Sequence, residues 1–514
     1  MNYFQAYLPS LDESIVAAWD WQVAAAAETP CLAQALATQR ADLFPRFAAC
    51  YAQLRALPRG ARRALQRQLA RSDAPANVPA EWQRKLASSL AGAALLLALA
   101  QGAEAVVINV AANRTAVNAA DGLCSLIEAI ENANDATTGA VHADCTAGDP
   151  AGADEIVLTA GSVHTLAKIN NSDYGATGLP VITTPITITG SGGTIRRKLT
   201  APQFRIFAVN ATGDLTLDDV TVSRGRKSSI DGGGVYSYFG TVTITNSTIS
   251  GNRGRYGGGV RNYGGVLTIT DSTITGNRSG DGGGVNSYNG TLTITDSTIS
   301  NNTATSNIGG YGNGGGVFSK APLPNFPTTI TNSTITGNRA RYGGGVFAEN
   351  TDSLSALTID DGTVAQNTAV RMGGGIYNFN GSITITNTAV VTDNNARFGG
   401  GIYNSGGEVS IDNATVSDNR ATGLSFSAGG GIYNNANATL MVTNGATITG
   451  NRSRYGGGVF NGGYFYIDSS TISTNTATVI GGGVFNYDNP PTSYSTFMNT
   501  NSTISGNTPD DIYP

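Results

Sequence analysis

The chain has 514 residues, long enough for more than one domain, with 67 glycines, 13% charged residues and a net charge of −5. So little charge in a chain rich in Thr, Ser and Asn excludes the composition of a disordered polypeptide, and the mildly acidic balance excludes nucleic acid as an expected partner. Its four cysteines show no C-x-x-C spacing, so neither a zinc site nor any other metal or cofactor is expected.

In chain order, residues 1–83 are rich in Ala, Leu, Arg and Gln, and LAQALATQRADLFPRFAACYAQLRAL has a helical apolar period. They read as a small α-helical extension, either a cytoplasmic part of the leader or the result of a start placed too far upstream. Met1 is the only methionine before Met372, so a shorter product needs another start codon, for which Val78 is well placed. Residues 84–105 carry Arg84-Lys85, the apolar run LASSLAGAALLLALA and Ala103-Glu104-Ala105. That is the layout of a secretory signal peptide, with cleavage expected after Ala105. The apolar run is short for a membrane span, the alternative being a signal-anchor. The expected location is therefore extracellular or at the cell surface.

Residues 106–153 read as an N-terminal cap. A short β-run, VVINV, precedes an amphipathic helix with Leu123, Leu126, Ile127 and Ile130 at helical spacing. In an oxidising compartment Cys124 and Cys145 can pair, which in the chain-entropy model is worth about 3 kcal/mol; two buried free thiols are the other reading. Such a helix covers backbone groups that an open stack of strands would otherwise expose.

Residues 154–514 repeat. Gly-Gly-Gly followed by Val or Ile occurs ten times between Gly232 and Gly481, at intervals of 25 to 32 residues. Runs such as TVTITNSTISGN alternate apolar and polar residues, the period of a strand. Short strands at a fixed long period predict an all-β solenoid, a right-handed parallel β-helix of about thirteen coils roughly 60 Å long at one strand spacing per coil. Val242, Leu267 or Val266, Leu292 and Ile330 are expected in the inward columns, and Thr243, Thr268, Thr293, Thr329, Thr358 and Thr384 in the outward ones. Asn252, Asn277, Asn302, Asn338, Asn367, Asn394, Asn419, Asn451, Asn475 and Asn507 recur after the turn and predict an amide ladder from coil to coil. The triple glycine predicts a tight corner.

Two stretches resemble known families. DGLCSLIEAIENAN, with the downstream Asp144-Cys145, resembles the Cys-Ser-Leu-Arg-Glu-Ala cap of bacterial surface β-helix proteins, with Ile127 in place of the usual Arg. The GGG[VI]-x-[NS] repeats are similar to those of polymorphic outer-membrane proteins. The likeness covers roughly residues 106–514 and implies an exported, adhesin-like protein. Nothing after residue 490 carries the alternation of a transmembrane barrel or an anchor motif.

Parallel β-helices also include polysaccharide lyases and hydrolases, so that activity is the alternative. Glycoside hydrolysis needs two carboxylates across one cleft. Asp271 and Asp296, with the adjacent pairs Asp218-Asp219 and Asp360-Asp361, are the candidates. Asn246 and Asn332 fill equivalent places, so these read better as turn residues, and no catalytic group is assigned. The expected function is binding of a glycan or another cell-surface partner through the wall. The residue after GGG[VI] is aromatic in eight of ten repeats, among them Tyr377, Tyr403 and Tyr433, and strand period sends it outward. Arg255-Tyr256, Arg341-Tyr342 and Arg454-Tyr455 precede the glycines. Together they form the candidate ligand face, by stacking and cation–π contacts, although stacked rings also stabilise a wall with no ligand. Ice binding is a lesser alternative, since the Thr-x-Thr rows are regular only over TVTIT, LTIT and TLTIT.

Overall fold

The computed structural model describes residues 105–117, 121–135, 141–149, 152–350, 356–423, 426–488 and 495–514. The expected helical extension, the signal-peptide core, Cys31 and Cys50 lie outside the described residues. The compact unit that holds the repeats comprises Val107–Gly148 and Asp154–Pro514, and the other unit, Met1–Val106 with Asp149–Ala153, falls mostly outside them.

The repeat unit is a right-handed parallel β-helix of about 12 turns, with almost no helix. Among the described residues its strands form sheets of 25, 12 and 8 strands. One coil runs from Val235–Tyr238 in the 12-stranded sheet to Thr241–Thr245 and Thr248–Ser250 in the 25-stranded one. The next coil continues through Val260–Tyr263, Val266–Thr270, Thr273–Thr275 and, in the 8-stranded sheet, Arg278–Ser279. Each strand pairs in parallel with its counterpart one coil on.

The inward column is Val242–Leu267–Leu292–Thr328, all buried. One alternative is decided here: Val266 is exposed, because period two turns its neighbour Leu267 inward instead. Ile330 is buried as expected, in the neighbouring inward column beside Ile294. Burying each Val, Leu or Ile stabilises the stack by about 1.5–3 kcal/mol. The outward threonines Thr243, Thr268, Thr293, Thr329, Thr358 and Thr384 share one column, which starts upstream at Thr187 and Thr216. It is more regular than the sequence rows suggest, since the register aligns threonines from dissimilar runs. Downstream Ser410, Met441, Tyr466 and Met498 replace them.

The corners explain the triple glycines. Gly373 takes φ +65°, a left-handed conformation that L side chains rarely adopt. A Cβ on Gly374 would stand 2.2 Å from the Gly400 carbonyl oxygen, and one on Gly375 2.9 Å from Asn394 Nδ2. The triplet thus serves a bend, a close backbone contact and a seat on the Asn ladder. That ladder is continuous from Asn252 to Asn507. Asn367 Nδ2 donates to Asn394 Oδ1 (3.1 Å) and to the Ile335 carbonyl (2.8 Å), while its Oδ1 accepts from the Asn338 backbone N–H (2.9 Å). Asp511 receives the last rung from Asn507. A second ladder, Asn378–Asn404–Asn434–Asn461–Asn486, follows the IYN and VFN strands.

At the N-terminal end the helix Leu126–Asn134 is shorter than the sequence suggests, leaving Leu123 before it and exposed. Ser125 and Glu128 form a reciprocal capping box that fixes its start. Cys124 and Cys145 are disulfide-bonded. Asn134 accepts from the Thr183 N–H (2.9 Å) and donates to the Val181 carbonyl (2.7 Å), which fastens the helix to the first coils.

A candidate ligand-binding wall

The aromatic column follows the strand register: Phe318, Phe347, Tyr377, Tyr403, Tyr433, Phe460 and Phe485 succeed one another. It does not offer open ring faces. Neighbouring rings lie nearly parallel with centroids 5.2 Å apart for Tyr377 and Tyr403 and 4.8 Å for Tyr403 and Tyr433, so each face is occupied by the next ring. Tyr377 and Tyr403 are each 7% exposed. The expectation of a solvent-facing platform at Tyr377, Tyr403 and Tyr433 is therefore corrected. The physical reason lies in the corner that follows each Arg-Tyr pair. It brings Tyr342, Met372 and Phe398 against the outer side of the stack. Arg341 lies over Tyr342 (5.3 Å) and Arg454 over Tyr455 (5.7 Å), so these guanidiniums cover the covering layer. Burial pushes the Tyr433 phenol up to about 12 and raises Tyr377 and Tyr403 as well, which keeps all three neutral.

Two coils break this column, where Arg261 and Asn286 follow Tyr236 in register. Here the wall changes character. The next outward column is Tyr238–Tyr263–Tyr288, then Lys320 and Glu349. The three tyrosines stack within 6° of parallel at 5.7 and 5.4 Å. Their phenol hydroxyls, one per coil, make no hydrogen bond among the described residues. Beside them Phe239 is 49% exposed and perpendicular to Tyr238 (90°) and nearly so to Tyr263 (85°). Its ring fills the space above Gly264, where a Cβ would stand 2.3 Å from it.

Phe239 has φ +60°, in a turn position that the next coils fill with Gly264 (φ +75°) and Asn289 (φ +49°). A bulky side chain there is strained by about 1–2 kcal/mol, and such strain gathers at ligand sites. Phe239 was not singled out in the sequence, although aligning SYFG with NYGG and SYNG reveals it.

Beneath the tyrosines lies a buried ionic cluster. Arg261, 5% exposed, sits 5.4–5.5 Å from the rings of Tyr256, Tyr263 and Tyr288 and donates to Asn286 Oδ1. Its Nε is 3.9 Å from Asp231 and has no hydrogen-bond partner among the described residues. Arg205, 1% exposed, lies 4.6 Å over Tyr236 and donates through Nη2 to the Tyr174 carbonyl (2.7 Å). Its Nε and Nη1 have no partner among the described residues. Burial lowers Arg205 to about 10, leaving it charged at neutral pH, and pushes Tyr236 up to about 12. Burial also raises Asp231, against the pull of Arg261, Arg205 and Arg255. Asp281 is raised by burial too, although its Oδ1 accepts from the Tyr311 and Asn313 N–H groups. Arg255 is exposed and lies over Tyr256 (4.9 Å), whose hydroxyl donates to the Gly309 carbonyl.

The candidate carboxylates lie at or beside turns. Asp219, Asp271, Asp296 and Asp361 all take left-handed φ between +47° and +51°, the turn role that Asn246 and Asn332 fill in other coils. Asp218 accepts from Asn246 and Asp360 from Asn387. Among the described residues no group of three or more His, Cys, Asp or Glu could hold a metal ion, and no helix is long and apolar enough to cross a membrane.

Residues 205–390 match the family model described as a right handed beta helix region. This is a parallel β-helix protein. The matched stretch includes the broken column, Phe239 and the tyrosine stack. No curated protein and no solved structure matches the chain.

Proposed function

We propose that this parallel β-helix protein is an exported, adhesin-like surface protein that holds a polysaccharide along its wall, without cleaving it, at Phe239, Tyr238, Tyr263 and Tyr288. The observation that carries the reading is Phe239: a half-exposed ring kept at φ +60° beside a row of free phenol hydroxyls. A pyranose presents one apolar face, which stacks on an aromatic ring, and equatorial hydroxyls, which bond to polar edges. Phe239 supplies the ring. The tyrosines supply a donor–acceptor group at every coil, a spacing of about 4.8 Å that suits an extended sugar chain lying along the stack. Signal-like residues 84–105 support export. The turn conformation of Asp271, Asp296 and Asp361 supports binding without hydrolysis.

The test is a glycan array on the full chain, followed by viscometry of any polysaccharide bound. The expected result is specific retention, unchanged chain length and about tenfold weaker binding by Phe239→Ala, the loss of roughly one stacking contact. Depolymerisation would favour a polysaccharide-active enzyme. Export is tested by N-terminal sequencing of extracellular protein, with Val106 expected first.

A further inference from the structure

The same wall carries charge that a neutral sugar would leave unused. Lys320 continues the column of Tyr238, Tyr263 and Tyr288, one coil beyond the last phenol, and its ammonium pairs with Glu349 (2.6 Å) in the coil after that. Under the tyrosines, Arg261 and Arg205 hold guanidinium N–H groups that lack partners among the described residues. Arg255 stands exposed at the flank. The carboxylates facing these three arginines are Asp231, 3.9 Å from Arg261, and Asp281, which is engaged by backbone N–H groups. Three cations face two carboxylates, so the local charge is positive in a chain whose net charge is −5. The half-buried Tyr263 and Tyr288, whose rings lie 5.5 and 5.4 Å from the Arg261 guanidinium, carry phenol hydroxyls that can donate to an acceptor.

We propose that the polysaccharide bound here is anionic, with a sugar carboxylate or a sulfate ester received between Lys320, Arg255 and the Tyr263 and Tyr288 hydroxyls, over the positive charge of Arg261. The proposal rests on the glycan-binding reading above and names the ligand class for that site. An oxyanion accepts several hydrogen bonds at once, and a charge-assisted bond is about twice as strong as a neutral one. The buried guanidiniums act through the low-dielectric wall without touching the ligand, and salt screens such a field less than it screens surface charge.

The experiment uses the full chain and two matched pairs: polygalacturonate against its methyl ester, and dextran sulfate against dextran. Binding is measured by affinity electrophoresis at low and high salt. The expected result is that the charged member of one or both pairs binds at least about tenfold tighter, and the pair that shows the preference identifies the group. Lys320→Gln and Arg255→Gln, at a half-buried and an exposed residue, should each narrow that ratio. Phe239→Ala should weaken both members of a pair together. Equal binding of charged and neutral partners would overturn the proposal and leave the glycan-binding reading standing. So would a preference indifferent to Lys320 and Arg255. Binding of none of the four, with an array empty of other glycans, would overturn both.

Discussion

The coils around Tyr236–Lys320 and those from Phe318 to Phe485 share one backbone register, one corner and one Asn ladder, yet their walls differ. In the later coils a ring follows every GGG[VI], so the rings stack on each other and the preceding Arg-Tyr and Arg-Phe pairs close over them. In the earlier coils Arg261 and Asn286 take that place, and the aromatic residues reappear two positions on as the half-buried Tyr263 and Tyr288. A substitution at one outward position per coil therefore converts a self-satisfied wall into one with unused donors. The parts common to both regions keep the solenoid together, and the parts that differ form the proposed ligand site.

The largest expected effect lies in the shared part. Asn394→Ala removes two buried donor bonds and strips an acceptor from the Asn367 backbone and side chain. At about 1–3 kcal/mol for each buried group left unpaired, urea unfolding should show a loss of about 3–5 kcal/mol. Asn277→Ala in the other region should cost about the same; a loss below about 1 kcal/mol in either would break the claim of a common ladder.

Next is the contrast itself. Tyr403→Thr should lower stability by about 2–3 kcal/mol, since it opens the stack but keeps β-propensity, and leave binding per folded molecule unchanged. Arg261→Phe with Asp231→Asn should do the opposite. It fills the gap in the column, removes a buried ion pair, and should be neutral or stabilising by about 1–2 kcal/mol while weakening binding of an acidic glycan. Thermal unfolding and affinity electrophoresis read the two changes separately.

A smaller effect concerns pH. His164 is buried, with one ring nitrogen 2.8 Å from Ser162 Oγ and the other 2.9 Å from the Arg114 carbonyl, and burial lowers its pKa below 6.5. The folded state therefore resists the proton that the unfolded chain accepts. The contribution is complete above the unfolded value and is lost as pH falls below it. Between about pH 8 and 5.5 the wild type should lose more stability than His164→Gln; equal slopes would contradict this. The smallest effect is expected for Asp271→Asn, which keeps the turn chemistry at φ +47° and should change stability by less than about 0.5 kcal/mol.

Much of the fold was legible because its signals are local and repeat. Alternation placed Thr243 outward and Val242 inward, and the spacing of Asn252, Asn277 and Asn302 implied hydrogen bonds between coils. The site was less legible. Period two sends Tyr377 and Tyr403 away from the core, but it carries nothing about Tyr342 and Phe398 folding over them after a corner. Periodicity reports the residues that recur and is silent on those that break it. Arg261 and Asn286 are exceptions in the aromatic column, and Phe239 is an exception in a Gly/Asn turn column that only the strand register aligns.

The central claim is that ligand meets the wall at Phe239 and the Tyr238–Tyr263–Tyr288 stack, while the later aromatic column is structural. Hydroxyl-radical footprinting of the full chain, free and saturated with its polysaccharide, tests it most directly. In the free protein Tyr238 and Phe239 should label readily and Tyr377 and Tyr403 should not, as their burial requires. Ligand should suppress labelling at Phe239, Tyr238, Tyr263 and Tyr288. Suppression at Tyr377, Tyr403 or Tyr433 with Phe239 unchanged would contradict the account.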